Sequence, residues 1–109
     1  MELATDAILQ ADQIVFVGNG GSGVIAMDAH HKFLRTGLKV YAYTDFHMQL
    51  MAASQLTSKD LIVAISHTGS NLNIMNVLEV AKENKVKTIG ITSFAKSPVS
   101  EMVDIPLNA

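Results

Sequence analysis

The sequence predicts a three-layer α/β/α sandwich around a five-stranded parallel sheet, in a single domain of 109 residues. Two observations carry this prediction. Helical and strand-like segments alternate five times along the chain. The strand-like segments are apolar on both faces, as parallel strands covered by helices on both sides would be.

The first half of the chain is predicted to form three helices and two strands. Apolar residues recur at helical spacing in the helices, whereas the strands are short runs rich in β-branched residues. Gly37 is the predicted C-cap of the second helix, and Asp45 can cap the third. In chain order the segments are 3–11 (helix), 13–18 (strand), 22–36 (helix), 38–44 (strand) and 45–56 (helix).

The second half is predicted to add three strands and two helices. Segment 70–84 is amphipathic, and 97–102 begins a short helix with Pro98 in its first turn. Pro106 cannot donate a ladder hydrogen bond, so the last strand is expected at an edge of the sheet. The strands are 59–66, 86–93 and 103–107.

The composition argues against several classes of protein. The net charge is −2 and no segment is densely basic, so we expect no contact with nucleic acid. The absence of cysteine excludes disulfides and thiolate metal sites and suits a reducing cytoplasm. Apolar runs such as 61–65 are too short to cross a bilayer and no signal peptide is evident, so we expect a cytoplasmic protein with no membrane contact.

The first loop that could carry chemistry is the glycine-rich stretch GNGGSG at 18–23. Gly18, Gly20 and Gly23 fit the spacing G-x-G-x-x-G, between a strand and a helix. Glycines let a ligand approach the backbone, and the helix start offers free N–H groups and a partial positive charge. Ser22 adds a hydroxyl at that start. The alternative is a tight turn with a serine cap and no ligand.

The second loop is SHTGSN at 66–71, which places three hydroxyl side chains and a glycine before another helix. Hydroxyls donate and accept hydrogen bonds, so they suit both phosphate oxygens and sugar hydroxyls. If the first and third strands are neighbours, both loops open onto one crevice, and two helix N-termini converge on one anion without lysine or arginine. Ser70 or Asn71, taken singly, is more simply a helix cap.

A third loop, 92–98, carries Thr92, Ser93 and Ser97 towards the same edge of the sheet. Ser97 precedes Pro98 and is better explained as a helix cap than as a ligand contact. We therefore do not count this loop among the predicted ligand contacts.

The glycine-rich turn has two interpretations. In a dinucleotide-binding module, an acidic residue about 20 positions after the third glycine holds the ribose, and Asp45 lies 22 residues after Gly23. That interpretation leaves the hydroxyl-rich turn at 66–71 without a role. A sugar-phosphate site uses both turns.

The turns GNGGS and SHTGSN resemble the SIS (sugar isomerase) domain, whose marks are a glycine-serine turn after the first strand and an S-x-S/T-G-x-S/T/N turn after a later one. The resemblance covers nearly the whole chain and implies a flavodoxin-like topology. Segments 37–71 and 81–107 look in particular like the sugar-sensing domain of RpiR-type bacterial transcription regulators, and the D-x-H-x-Q stretch at 45–49 is part of that likeness. In those proteins an N-terminal helix-turn-helix domain binds DNA, and a phosphosugar on the SIS domain changes the DNA affinity.

The resemblance carries ligand contacts over to individual positions. Side-chain contacts are expected from Ser22, Ser66, Thr68 and Asn71. The positions expected to offer backbone N–H groups or to lie beside the phosphate are Gly21, His67, Gly69 and Ser70. His47 is expected to approach the sugar from a partner subunit, since such domains commonly dimerise. The family often has threonine where Asn71 stands, which changes the preference of the site but does not deny it.

The resemblance is compatible with a sensor or with an aldose–ketose isomerase, and the sequence favours the sensor. Isomerisation needs an acid and a base beside the sugar. Most carboxylates fall on helices or at the opposite end of the strands, which leaves Asp45, His47 and His67 near the crevice. Because no acid–base pair is evident, we expect binding without turnover, no catalytic residue and no cofactor.

We also expect no metal site. The side chains of the adjacent helical residues His30 and His31 point too far apart to bind one metal ion.

Residues 1–109 are thus predicted to be a phosphosugar-binding domain, a fragment of a longer transcriptional regulator of carbohydrate metabolism that lacks its helix-turn-helix part. The expected partners are a phosphorylated sugar and a second copy of the chain, in a homodimer or higher homo-oligomer. Three alternatives stay open: a sugar-phosphate isomerase, an NAD(P)-binding module and a plain dimerisation module.

Overall fold

The computed structural model describes residues 2–108. Helices and strands alternate throughout, and the predicted sandwich with its five-stranded parallel sheet is confirmed. The helices are α1 (Glu2–Gln10), α2 (Gly21–Leu34), α3 (Phe46–Gln55), α4 (Leu72–Glu83) and α5 (Pro98–Met102). The strands are β1 (Ile14–Gly18), β2 (Val40–Tyr43), β3 (Leu61–Ile65), β4 (Lys87–Thr92) and β5 (Ile105–Asn108).

The strand order is β2-β1-β3-β4-β5, and all neighbouring strands are parallel. The chain moves from β1 to β2 in one direction and then crosses to β3 on the other side of β1, so the topological switch point lies between β1 and β3. The register pairs Gly18 with Ile65, which places the carboxyl ends of these two strands side by side. β5 is an edge strand, as Pro106 predicted.

The hydrophobic core forms two layers, one on each face of the sheet. Successive residues of β1 alternate between them: Val15 and Val17 pack with α3, α4 and α5, whereas Ile14 and Phe16 pack with α1 and α2. Every residue of β1 and β3 is buried. The loops that follow β1 and β3 therefore begin at strands whose residues are all buried in the core.

Helix α2 packs on the sheet through small residues in its first half, and only part of the apolar face expected at 22–36 meets the core: Ala29 and Phe33 pack against it, whereas Val24, Ile25 and Leu34 are exposed. Gly23 and Ala26 are buried, whereas Val24 and Ile25 are 71% and 57% exposed. A Cβ added to Gly23 would come within 3.1 Å of the Gly18 carbonyl oxygen, so the third glycine of the motif allows the helix to approach the strand. Val24 and Ile25 consequently point away from the sheet, whereas Phe33 packs against Phe16 of β1 with a ring-centroid distance of 5.6 Å.

Some helix ends differ from the prediction by one or two residues. The C-cap of α2 is Arg35, and Gly37 (φ 82°) follows in the turn instead of capping the helix itself. α4 begins after its N-cap Asn71. Asp45 caps α3, as predicted. No helix within residues 2–108 is long and apolar enough to cross a membrane.

Candidate functional site at the ends of strands β1 and β3

A cavity of about 510 Å³ opens where β1 and β3 end. Its volume lies within the range of small-molecule sites. Both predicted turns contribute to it, and so the two loops share one crevice at the switch point of the sheet, as expected. The lining residues are Asn19, Gly21, Ser22, Ile25, Ser66, His67, Thr68 and Asn71.

The glycine turn presents an uncapped helix end to this cavity. The N-cap of α2 is Gly20, whose backbone (φ 59°, ψ −129°) suits glycine and which offers no side chain to the helix. Ser22 is therefore not the cap of α2, and the alternative of a serine cap is wrong. Its hydroxyl, half-buried beside the cavity, stays available to a ligand.

The hydroxyl turn is held in shape by its own side chains. Ser66 is 4% exposed, and its Oγ accepts a hydrogen bond from Gly69 N at 3.2 Å. Thr68 Oγ1 accepts from Ser70 N at 3.3 Å and from Ser70 Oγ at 3.1 Å. Asn71, one of the two residues predicted as candidate caps, is the N-cap of α4. Its oxygen is thereby engaged while its amide nitrogen keeps donor capacity.

Gln49 supports the glycine turn from helix α3. Its side chain is fully buried, and Nε2 donates to Tyr43 O at 2.8 Å, to Gly18 O at 3.3 Å and to Asn19 Oδ1 at 3.2 Å. Its Oε1 has no hydrogen-bond partner among the described residues. The glutamine of the D-x-H-x-Q stretch thus holds the turn in place and does not itself line the cavity.

Asn19 links the two turns. Its Nδ2 donates to Asn71 Oδ1 at 3.2 Å, and the same oxygen accepts from Ile74 N at 3.1 Å. With the opposite amide orientation, Asn19 would donate to Gly18 O and Thr44 O, but its oxygen would then face Asn71 Oδ1. We prefer the first orientation. In the second, the two oxygens would repel each other unless the Asn71 amide also turned, and Asn71 Oδ1 would then no longer cap α4 by accepting from Ile74 N.

The third loop, 92–98, contacts the cavity wall through Ser93. Ser97 caps α5 in a capping box with Ser100, as its position before Pro98 predicted. Ser93 Oγ, in contrast, lies 2.7 Å from His67 Nδ1, and Ser93 N donates to His67 O at 3.0 Å. The loop that we left out of the predicted contacts is therefore attached to a residue of the cavity wall.

The structure brings six of the nine predicted site residues to the cavity wall. Of the other three, Gly69 is buried behind the turn with φ 71°, Ser70 bonds to Thr68, and His47 is exposed on α3 beside Phe46. Within one chain His47 does not line the cavity, so its role remains a prediction that needs a second subunit. The six are Gly21, Ser22, Ser66, His67, Thr68 and Asn71.

Two cavity residues, Asn19 and Ile25, were absent from the predicted set. Asn19 lies inside the motif GNGGSG, so the motif itself indicated Asn19 as a candidate residue of the site. Ile25 looked like a core residue because of its helical spacing, and only the orientation of α2 shows it at the site.

Among the described residues, no lysine or arginine lines the cavity, and His67 is the one titratable residue of its wall. Attraction for an anion must then come from the N-terminal dipoles of α2 and α4, from backbone N–H groups and from hydroxyls. Such donors suit a phosphate group and avoid the cost of desolvating a fixed charge.

A larger groove, of about 620 Å³, lies at the opposite end of the sheet. Lys85, Lys87, Asp6 and Asp104 line it together with apolar residues of α1. Asp104 Oδ2 is already occupied by Thr88 N at 2.9 Å. The groove has mixed charge and sits at the amino ends of the strands, so we place the functional site at the smaller cavity.

Other candidate chemistry is accounted for by local contacts. Asp45, the acidic residue of the dinucleotide interpretation, accepts from Met48 N at 3.1 Å as a helix cap. His30 Nε2 lies 3.1 Å from Val40 O. Among residues 2–108 no group of three histidine, cysteine, aspartate or glutamate side chains is placed to hold a metal ion.

The sequence model of the SIS domain matches residues 7–109. The chain belongs to the SIS domain family. This SIS domain is 41% identical over 111 aligned positions to the HTH-type transcriptional regulator HexR of Pseudomonas aeruginosa, an alignment that covers 98% of the chain and 39% of HexR. The domain thus spans about two fifths of that regulator's length.

Two solved structures superimpose closely on this SIS domain. The Vibrio vulnificus NanR protein complexed with ManNAc-6P has a TM-score of 0.94 at 25% identity, covering 99% of the domain and 41% of that chain. The sugar isomerase domain of an RpiR transcription factor from Sphaerobacter thermophilus has a TM-score of 0.93 at 27% identity, covering 99% of the domain and 61% of that chain. The resemblance to RpiR-type regulators is thereby confirmed.

Proposed function

We propose that this domain binds a phosphorylated sugar as an effector, with the phosphate between the starts of α2 and α4. The observation that carries the proposal is the shared cavity: Ser22, Ser66 and Thr68 line one space although they come from two loops. Converging hydroxyls and helix N-termini provide hydrogen-bond donors for phosphate oxygens, and the remaining volume accommodates a sugar.

The likeness to NanR supports the sugar part of the proposal, because that protein was solved with ManNAc-6P and shares the fold of the whole domain. HexR supports the regulatory part, because it is a helix-turn-helix regulator of which this domain matches about two fifths. We propose that the domain serves a cytoplasmic regulator of carbohydrate metabolism, whose DNA contacts lie in another part of the polypeptide.

The groups at the cavity wall support binding without turnover. An aldose–ketose isomerase needs a base to move a proton between carbons and an acid to open the ring. His67 is the one titratable residue there, and its Nδ1 is already engaged by Ser93. Turnover would require a second group from outside this chain, such as His47 of another copy.

A homodimer is the second half of the proposal. Large apolar side chains stay exposed on three helices: Val24 and Ile25 on α2, Met48 on α3 and Leu72 on α4; Ile25 also lines the cavity. Exposed apolar clusters on soluble domains commonly mark interfaces. A Val24→Glu variant is expected to be monomeric by light scattering, whereas an unchanged mass would argue against this surface.

The proposal is tested by calorimetry with ManNAc-6P, glucose 6-phosphate, inorganic phosphate and NAD. We expect a sugar phosphate to bind and NAD to give no heat. Ser66→Ala combined with Thr68→Ala should abolish that binding, because each lost charge-assisted hydrogen bond contributes about 1.5–3 kcal/mol. Ser58→Ala, at the opposite end of the sheet, is the control. Unchanged affinity in the double variant would refute the site.

A further inference from the structure

His67 has one ring nitrogen engaged and one free. Its Nδ1 lies 2.7 Å from Ser93 Oγ, whereas its Nε2 makes no hydrogen bond with the residues that the structure describes. The imidazole is exposed and lines the cavity.

The ring is restrained from two directions by the loop between β4 and α5. Ser93 holds Nδ1, and the Phe94 ring lies against the imidazole with a centroid distance of 6.2 Å and an interplanar angle of 57°. The backbone already joins the two loops, because Ser93 N donates to His67 O at 3.0 Å. The side-chain hydrogen bond is therefore not needed to close the loops, and its distinct effect is to orient the ring.

We propose that Ser93 is a positioning residue for effector binding: its hydroxyl donates to His67 Nδ1 and so keeps the ring proton on Nε2, which donates to the bound sugar phosphate. A neutral imidazole carries one N–H, and a hydroxyl that donates to Nδ1 leaves the ring proton on Nε2. The inference rests on the proposed function and adds a donor, His67 Nε2, on the hydroxyl turn, which Ser93 of the third loop orients.

This arrangement suits the rest of the cavity wall. The hydroxyls of Ser66 and Thr68 already accept hydrogen bonds from their own turn. An N–H on Nε2, the ring nitrogen that Ser93 does not contact, supplies a donor. Its direction is fixed before the ligand binds. Preorganised donors of this kind lose little conformational freedom on binding.

The first test is the nitrogen NMR spectrum of ¹⁵N-histidine in the ligand-free chain, which distinguishes the two neutral tautomers. We expect the wild-type protein and Ser93→Thr to show His67 with its proton on Nε2. Ser93→Ala should show a mixture of tautomers with an unchanged melting temperature, because the backbone bond from residue 93 remains. A wild-type ring protonated on Nδ1, or identical spectra for all three proteins, would overturn the assignment.

The second test is affinity for ManNAc-6P and glucose 6-phosphate in a mutant cycle. Ser93→Ala should weaken binding by up to about tenfold, the upper scale of one hydrogen bond, and Ser93→Thr should restore it. In a His67→Ala background the Ser93→Ala change should have no further effect. His67→Gln, whose amide reaches near the Nε2 position, should bind better than His67→Ala.

The outcomes separate this inference from the proposed function. If Ser66→Ala with Thr68→Ala abolishes binding but His67→Ala binds like the wild type, the function stands and the role of Ser93 and His67 is overturned. If the wild-type chain binds no sugar phosphate, the proposed function fails and the donor role fails with it. The spectra of the ligand-free chain then still decide whether Ser93 sets the tautomer.

Discussion

The side-chain amide of Asn19 lies 3.2 Å from that of Asn71, and this one contact ties the glycine turn after β1 to the hydroxyl turn after β3. The two residues are 52 positions apart in the chain. Both line the cavity, so a bond inside the site itself adds to the pairing of β1 with β3 in joining the two halves of the site.

Breaking this bridge should weaken effector binding more than it weakens the fold. Asn71→Ser keeps an oxygen that can cap α4 but shortens the side chain away from Asn19. We expect Asn19→Ala and Asn71→Ser each to lower sugar-phosphate affinity, and the double variant to lose less than the sum. A coupling of about 0.5–1.5 kcal/mol is the scale of one hydrogen bond. Strict additivity in calorimetry would show that the bridge does not organise the site.

Replacing Gln49 by methionine should destabilise the protein by about 1–3 kcal/mol. The change conserves approximate shape but leaves the buried carbonyls of Gly18 and Tyr43 without their side-chain donor. Part of the loss is offset because the unpartnered Oε1 is removed as well. Urea denaturation measures the effect, and Gln55→Met on the exposed last turn of α3 is the matched control. Equal midpoints for the two variants would contradict the role of Gln49 as an anchor.

The order of elements and the location of the site could be predicted because they depend on local signals. Apolar runs marked the strands, and Asp45 and Ser97 marked helix starts that the structure confirms. The adjacency of β1 and β3 was a condition of the hypothesis, and the sheet order satisfies it. Local signals therefore identified the two phosphate-suited turns, and the strand order of the sheet brings them to one rim.

Contacts between distant segments could not be predicted in the same way. The bond between Asn19 and Asn71 and the bond between Ser93 and His67 depend on how three loops pack, which no periodicity encodes. The buried face of α2 was mistaken for a different reason. Its fully buried residues are Gly23 and Ala26, and hydrophobicity scales give more weight to larger residues such as Ile25, which is exposed.

Lys85→Gly should stabilise the protein by about 0.5–1 kcal/mol. Lys85 has φ 59° and follows the C-cap of α4, where Val86 N donates to Ala81 O at 2.9 Å and Lys85 N to Lys82 O at 3.0 Å. These bonds define a Schellman motif, whose left-handed position favours glycine. Lys85→Ala, which removes the charge but keeps the Cβ, should show no such gain in chemical denaturation. A gain of equal size in both variants would assign the effect to charge.

Gly21→Ala should separate binding from folding. A Cβ at Gly21 meets no atom within 4 Å, and its φ is not positive, so alanine fits the first turn of α2 without strain. Gly69→Ala is the contrasting variant: φ is 71° and the added Cβ would collide with Ser97, so the melting temperature should fall. We expect Gly21→Ala to keep or raise the melting temperature while it weakens sugar-phosphate binding, because its methyl group enters the cavity that Gly21 lines. Calorimetry on the folded variant decides: full affinity would mean that the phosphate does not approach the start of α2.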